Sequence, residues 1–209
     1  MRGRGKVAPT REGIASDLIA CKAAFDRVKI PWVLIDGIVL GYVRHKDIIP
    51  GDTDLDLAVC KEVSDLEWED LRASLRVSGF GTGKGKADFI YGRRKVKFNL
   101  WFYHRNGNYY VAYPPTVPGM KFVEKAIWYD KIQLVNFLGA FYPMPTHLGD
   151  YLVCRYGSDW NEVRYTHTQW RLEKFGTSTN RYEPEAWLKS RCGPKGDLWP
   201  KIMYIKDKL

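Results

Sequence analysis

The chain has 209 residues, a formal net charge of +9, and 45% hydrophobic and 14% aromatic residues. That length suits one domain with at most a small appendage, and the apolar fraction is ample for a core and excludes a disordered chain. No stretch approaches the roughly 20 apolar residues that span a bilayer. No targeting segment is read, so a cytoplasmic protein is expected. Cys21, Cys60, Cys154 and Cys192 form no C-x-x-C pair, which fits reduced structural thiols better than a disulfide framework or a zinc site. The basic runs "MRGRGK", "RHK" and "GRRKVK" are short. They suit a phosphate-rich ligand without forming a recognisable DNA-reading module.

Residues 11–28 place Ile14, Leu18, Cys21 and Phe25 at helical spacing, with Ile19 and Ala24 widening the stripe and Thr10 as cap. "WVLIDG" after Pro31 predicts a buried strand. "GIVLGYVR" predicts a short helix in which Gly37 and Gly41 permit close packing or ligand approach. "HKDIIPGD" reads as a loop and "TDLDLAVC" as a strand, with Asp54, Asp56 and Ala58 on one face and Leu55, Leu57 and Val59 on the other. Ser64 and Glu67, at capping-box spacing, open a helix whose apolar residues are Leu66, Leu71, Leu75 and Val77. "ADFIYG" and "KVKFNLWFYH" are strand-like around "GRRK". A two-residue turn at Arg93 and Arg94 would set Asp88 opposite Asn99, on one face with Lys97 and Trp101. "NYYVAY" after "RNG" adds another hairpin arm, and from about 121 the chain reads as helical and irregular. The expected division is a helical segment at 1–30, a core at 31–120, and a part at 121–209 packed on that core rather than independent.

Asp54 and Asp56 leave one strand face about twice the ~3.3 Å rise apart. Carboxylates so near repel and raise each other's proton affinity unless a cation intervenes. Mg²⁺ or Mn²⁺ takes carboxylate oxygens together with substrate phosphates, the arrangement phosphoryl or nucleotidyl transfer requires. A polar edge strand with its aspartates in solvent gives the same D-x-D pattern. Arg44 offers a bidentate fork to phosphate or an ordinary ion pair, and His45 a phosphate contact, a proton shuttle or a structural hydrogen bond. Asp52 fits support of the loop or of the acidic pair, or a helix or turn cap; Asp36 fits a group supporting the pair or a strand-ending cap; Asp47 fits a solvated charge. Arg93, Arg94 and Lys97 flank an anion or decorate a solvated turn; Trp160 is a core residue or a base-stacking platform. His104, His147 and His167 are isolated, and neither a Walker loop nor a dinucleotide-binding glycine motif is present.

The stretch "LIDGIVLGYVRHKDIIPGDTDLDLAV" resembles the signature of the LicD/fukutin family, within the polymerase-beta-like nucleotidyltransferase superfamily. Gly37 and Gly41 match its helix, Arg44 and His45 its basic pair, Ile49 and Pro50 its turn, and Asp52, Asp54 and Asp56 its acidic positions. A second block, "FLGAFYPMPTHLGDYLVCRYGSDW", is similar to the distal motif through Phe137, Gly139, Pro143, Pro145, Tyr151, Leu152, Tyr156, Gly157 and Trp160. The chain departs from the family pattern at Ile38, Gly51 and Thr53, and Asn99 stands where the later carboxylate is usual.

The resemblance implies an α/β (α+β) fold with a nucleotidyltransferase-like mixed sheet flanked by helices. It implies Mg²⁺ or Mn²⁺ on Asp54 and Asp56, supported by Asp52, Asn99 and, if the hairpin pairs as above, Asp88. Arg44 and His45 would assist catalysis, and Gly37, Gly41, Arg44, Arg93 and Lys97 would line the donor. The implied reaction moves a phosphorylated small group, of phosphocholine or alditol phosphate type, from a cytidine-diphosphate-activated donor to a hydroxyl acceptor such as a glycan. Nucleotidyl transfer, nucleic-acid binding or modification, and an inactive binding-only member are the alternatives. Asn99 is the main support for the last.

Overall fold

Helix α1 (Arg11–Val28) starts where Thr10 Oγ1 accepts the Gly13 N–H at 3.1 Å, and ends at Lys29 in a left-handed conformation. The structure, a computed structural model, describes residues 10–50, 52, 54–82, 90–91, 96–112 and 122–162, with backbone alone at 90, 91 and 122. Strand β1 (Val33–Ile35) runs directly into α2 (Asp36–His45), and a loop leads to β2 (Asp54–Val59). Helix α3 (Asp65–Val77) opens with the expected capping box: Ser64 Oγ accepts from the Glu67 N–H and the Glu67 carboxylate accepts from the Ser64 N–H. Short strands β3 (Gly81–Thr82) and β4 (Ile90–Tyr91) precede β5 (Lys97–Phe102). These strands form one mixed sheet in the order β1-β2-β5-β4-β3, in which only β2 and β5 are parallel neighbours.

The remaining elements are a three-stranded sheet, β6 (His104–Asn106), β7 (Tyr109–Ala112) and β8 (Phe122–Lys125), then α4 (Ile127–Asp130). A hairpin of β9 (Gln133–Phe137) and β10 (Ala140–Met144) follows, then α5 (Leu148–Tyr156). The mixed α/β class is therefore as expected, but three β-strands stand where the sequence read as helical and irregular beyond 121. For β9 and β10 the cause is local: Leu138 (φ 48°) and Gly139 (φ 86°) both lie in the left-handed region, as a two-residue hairpin turn with native twist requires, whereas β8 is drawn in by pairing with β7. The run "KVKFNLWFYH" also divides, because Tyr103 ends the first sheet with its N–H on the Val59 carbonyl at 2.8 Å before β6 joins the second.

One hydrophobic cluster reaches from Ile14 in α1 to Leu152 in α5. Leu55, Leu57, Phe98 and Leu100 fill it from the sheet, and α3 covers that face through the edge-on contact of Trp68 with Phe102, ring centres 5.4 Å apart. Helices α1 and α3 are tied where Ser74 Oγ donates to the Ala24 carbonyl at 2.8 Å and accepts from Arg27. Two helical phases differ from expectation. Ile19 is 52% exposed, and Leu66 and Val77 are each 80% exposed. At about 100° per residue, Ile19 lies about 140° from Ile14, and Leu66 and Val77 lie opposite the Trp68, Leu71 and Leu75 stripe. Among the described residues no helix is long and apolar enough to cross a membrane.

Loop 47–49 lies hard against α2 at Gly41, where an added Cβ would stand 2.5 Å from the Asp47 carbonyl oxygen and 3.1 Å from the Ile49 nitrogen. Backbone, not a flexible side chain, is in the way. Gly41→Ala is therefore expected to cost about 1–3 kcal/mol, seen as a lower urea midpoint at unchanged slope. An unchanged midpoint would show that the loop yields freely.

Candidate active site

The parallel register of β2 and β5 sets Asp54 beside Lys97, Asp56 beside Asn99 and Ala58 beside Trp101. Strand alternation keeps these six residues on one face, away from the leucines and phenylalanines that build the core. Asp54 and Asp56 are both half-buried there. On the other side of β2, Ile35 is the register partner of Asp56, so Asp36, the next residue, opens α2 beside the pair.

Asn99 connects the two carboxylates. Its Nδ2 donates to Asp54 Oδ2 at 3.2 Å and to Asp56 Oδ1 at 2.9 Å, while its own Oδ1 is buried without a hydrogen-bond partner. Trp101 Nε1 also donates to Asp56 Oδ1, at 3.3 Å. Burial is the largest influence on the Asp56 carboxyl and raises it to about 7; the charges of Asp36 and Asp54 also raise it, and the bonds from Asn99 and Trp101 oppose them. Asp52 has a different place. Its Oδ2 lies 2.8 Å from where a Gly37 Cβ would be, and its Oδ1 accepts weakly from the Asp54 N–H at 3.5 Å. Gly37 is small because a carboxylate rests on it.

Behind the pair lies a buried charge network. Asp36 is held at φ 52°, a conformation costing an ordinary residue about 1–2 kcal/mol. Arg155 Nε donates to its Oδ1 at 2.5 Å and Arg155 Nη2 to its Oδ2; the Tyr151 hydroxyl accepts the Asp36 N–H at 3.0 Å and donates to Oδ1 at 3.1 Å. Arg155 Nη1 also pairs with Glu124 at 2.8 Å, and the Glu124 carboxylate accepts hydrogen bonds from Tyr103 and Tyr129. Burial raises the Glu124 carboxyl while Arg155 pulls it down. The Tyr156 hydroxyl is held neutral, first by burial and then by Asp36, with Asp56 and Asp52 adding to the effect. One arginine thus compensates two carboxylates at the rear of the site.

Among the described residues no group of three or more His, Cys, Asp or Glu is arranged to hold a metal ion. What the face offers is two carboxylates and one neutral amide. That donor set fits a single hard cation that keeps substrate phosphates among its ligands, and the unpartnered Asn99 Oδ1 is a third oxygen in the same place.

Residues 29–147, more than half of the chain, match the sequence profile described as LicD/FKTN/FKRP, nucleotidyltransferase domain. The chain belongs to this family. Two solved structures of the antibiotic-resistance factor ANT(2'')-Ia are similar to this LicD-family chain. The solution structure aligns at 11% identity and TM-score 0.49, covering 82% of this chain and 88% of that one. The crystal structure in complex with adenylyl-2''-tobramycin aligns at 12% identity and TM-score 0.46, covering 79% and 90%. Similarity this loose does not bear on the chemistry of the site. No curated protein matches the sequence.

Of the residues singled out in the sequence of this LicD-family chain, Asp54, Asp56, Asn99 and Lys97 lie side by side on one face of β2 and β5. Neither Arg44 nor His45 is hydrogen-bonded or ion-paired to any of these four residues. Arg44 Nη2 donates to the carbonyls of Trp160 and Glu162, the latter at 2.7 Å, so this arginine ties α2 to the turn after α5. Burial lowers the Arg44 guanidinium from its usual value. His45 closes α2, exposed, about 13 Å along the axis from Asp36. Asp47 is not a solitary solvated charge but pairs with Arg11 at 2.7 Å. The hairpin register is also corrected: Ile90 faces Phe98 and Tyr91 faces Lys97, one residue away from the pairing that would set Asp88 opposite Asn99. A one-residue slip changes the face of every side chain in a strand. Asp88, Arg93 and Arg94 lie outside the described residues, as do Gly51, Thr53, Cys192, His167 and the basic run at the start.

Sequence reasoning missed Arg155 and Glu124 as parts of this arrangement, and it placed Trp101 on the face without foreseeing its bond to Asp56. The two blocks that carried the family resemblance nevertheless meet here, through Asp36 with Tyr151 and Arg44 with Trp160. That the second block supplied polar partners to the first was the available signal.

Proposed function

We propose that the chain is a cation-dependent phosphotransferase moving a phosphorylated small group from a cytidine-diphosphate-activated donor to a hydroxyl acceptor, a glycan being the acceptor class. Family membership supports transfer chemistry. The single observation that carries the cation dependence is the pairing of Asp54 and Asp56 on one accessible strand face, bridged by Asn99. Asp54 and Asp56 would hold Mg²⁺ or Mn²⁺, which when bound balances charge on the donor phosphates and on the attacking oxygen. Lys97, next to Asp54 on that face, offers an ammonium contact to a phosphate oxygen. Trp101 and Asn99 fix the carboxylate orientations, and Arg155 keeps Asp36 from adding an uncompensated charge.

The decisive experiment is product analysis with Mn²⁺ and cytidine-diphosphate-linked donors. Release of cytidine monophosphate with transfer of the phospho-group supports this reading; pyrophosphate release from a nucleoside triphosphate would replace it with nucleotidyl transfer. A second reading, a binding-only member, is favoured by one observation: the Asn99 amide already does for the carboxylate pair part of what a cation would. It predicts nucleotide uptake with no product from any donor.

The pH dependence has a definite sign. Below about pH 7 the Asp56 carboxyl retains its proton, and an entering cation must displace it. Mn²⁺ affinity, measured with cytidine diphosphate present, should thus fall as pH drops from about 8 to about 6, approaching tenfold per unit at the acid end. A flat profile would contradict the assignment of Asp56 as a ligand.

A further inference from the structure

Asn99 does more than stand where a carboxylate is usual. Its amide nitrogen satisfies Asp54 Oδ2 and Asp56 Oδ1 together, Trp101 adds a second bond to that same Asp56 oxygen, and the Asn99 oxygen has no donor. Resting on the cation-dependent reading above, we propose that Asn99 makes cation and phosphorylated donor bind this site interdependently, so that neither binds firmly alone.

Three physical steps lead there. An entering cation must exchange the amide bonds for its own, so part of its attraction to the carboxylates is already offset. Asn99 contributes no charge, which leaves two carboxylates for a divalent ion; further anionic oxygens must come from the donor's diphosphate. That diphosphate, for its part, meets two like-charged aspartates until the cation lies between them. A half-turn of the Asn99 amide exchanges Nδ2 for the unpartnered Oδ1, converting the brace into a neutral oxygen ligand. Amide orientation follows the hydrogen-bond network, and here the network changes sign when a cation replaces mutual repulsion. Asn99 on this account acts through Asp54 and Asp56 while the site is empty and as a ligand itself once the cation enters, and the coupling it creates must be reciprocal.

Equilibrium dialysis of the full chain against Mn²⁺ alone, cytidine diphosphate alone, and both together tests this, because only protein-bound ligand accumulates in excess beside the protein. Each ligand is expected to bind at least about tenfold tighter in the presence of the other, a coupling of about 1.4 kcal/mol. Asn99→Asp should raise the affinity for Mn²⁺ alone at least about tenfold and shrink the gain from cytidine diphosphate. Asn99→Ala, which removes both amide bonds without adding charge, should raise affinity for Mn²⁺ alone by a smaller factor, and serves if the aspartate variant does not fold. Wild type taking up Mn²⁺ alone as tightly as with cytidine diphosphate, or folded variants matching wild type, overturns the coupling and leaves the cation site standing. Absence of uptake in every combination overturns the cation-dependent reading, and the coupling with it.

Discussion

Asp54→Asn and Asp56→Asn should each lower phospho-group transfer by about 10²–10³-fold while leaving the unliganded protein at least as stable as wild type. The loss follows from removing a fixed charge that acts only when the transferring phosphate is present, a contribution of the size seen for single electrostatic groups in active sites. The stability side follows from the environment. Burial and the neighbouring Asp36 and Asp54 already push the Asp56 carboxyl toward its neutral form. An amide removes that repulsion and keeps an oxygen to accept from Asn99 and Trp101. Activity and stability therefore move in opposite directions, as expected where a site is built at a cost to the fold. A melting temperature falling in parallel with turnover would show the aspartates to be structural instead.

Arg155→Met should be the most destabilising single substitution in the site, by about 3–5 kcal/mol in urea unfolding. Its guanidinium is the shared partner of Asp36 and Glu124, whose side chains are 13% and 2% exposed. Methionine would fill the space and leave two carboxylates without their cation. Removing one member of a buried ion pair costs more than the pair itself contributes, because the remaining charge is neither hydrated nor compensated. Arg155→Lys should recover only part of the loss, since an ammonium cannot reproduce the two-nitrogen grip on Asp36. A loss below about 0.5 kcal/mol for the methionine variant would mean that water or relaxed side chains compensate the two acids.

What the sequence made legible was governed by short-range rules. Asp54 and Asp56 share a face because strand alternation holds whatever the strand pairs with, and Ser64 with Glu67 capped α3 because both partners lie within one turn. The pairing of β4 with β5 was not legible, because "GRRK" does not encode how many residues the turn takes. Leu66 and Val77 were misassigned because α3 carries more apolar residues than one face can bury, and the contact of Trp68 with Phe102 decides its phase. Asp36 and Arg155 are 119 positions apart, and nothing in the residues around either one points to the other. Only the fold makes them partners. The same holds for Arg44, whose guanidinium meets carbonyls after α5, more than 100 positions along the chain.

The most direct test of the central claim, that Asp54 and Asp56 form a cation-dependent site for a phosphorylated donor, is the thermal melt of three proteins with Mn²⁺ and cytidine diphosphate added together. For wild type, ligand about 100-fold above its dissociation constant should raise the melting temperature by about 5–10 °C, from a linkage of about 2.7 kcal/mol in a chain of this size. Asp54→Asn and Asp56→Asn should lose most of that rise. A wild type that does not respond, or variants that gain as much as wild type, would contradict the account.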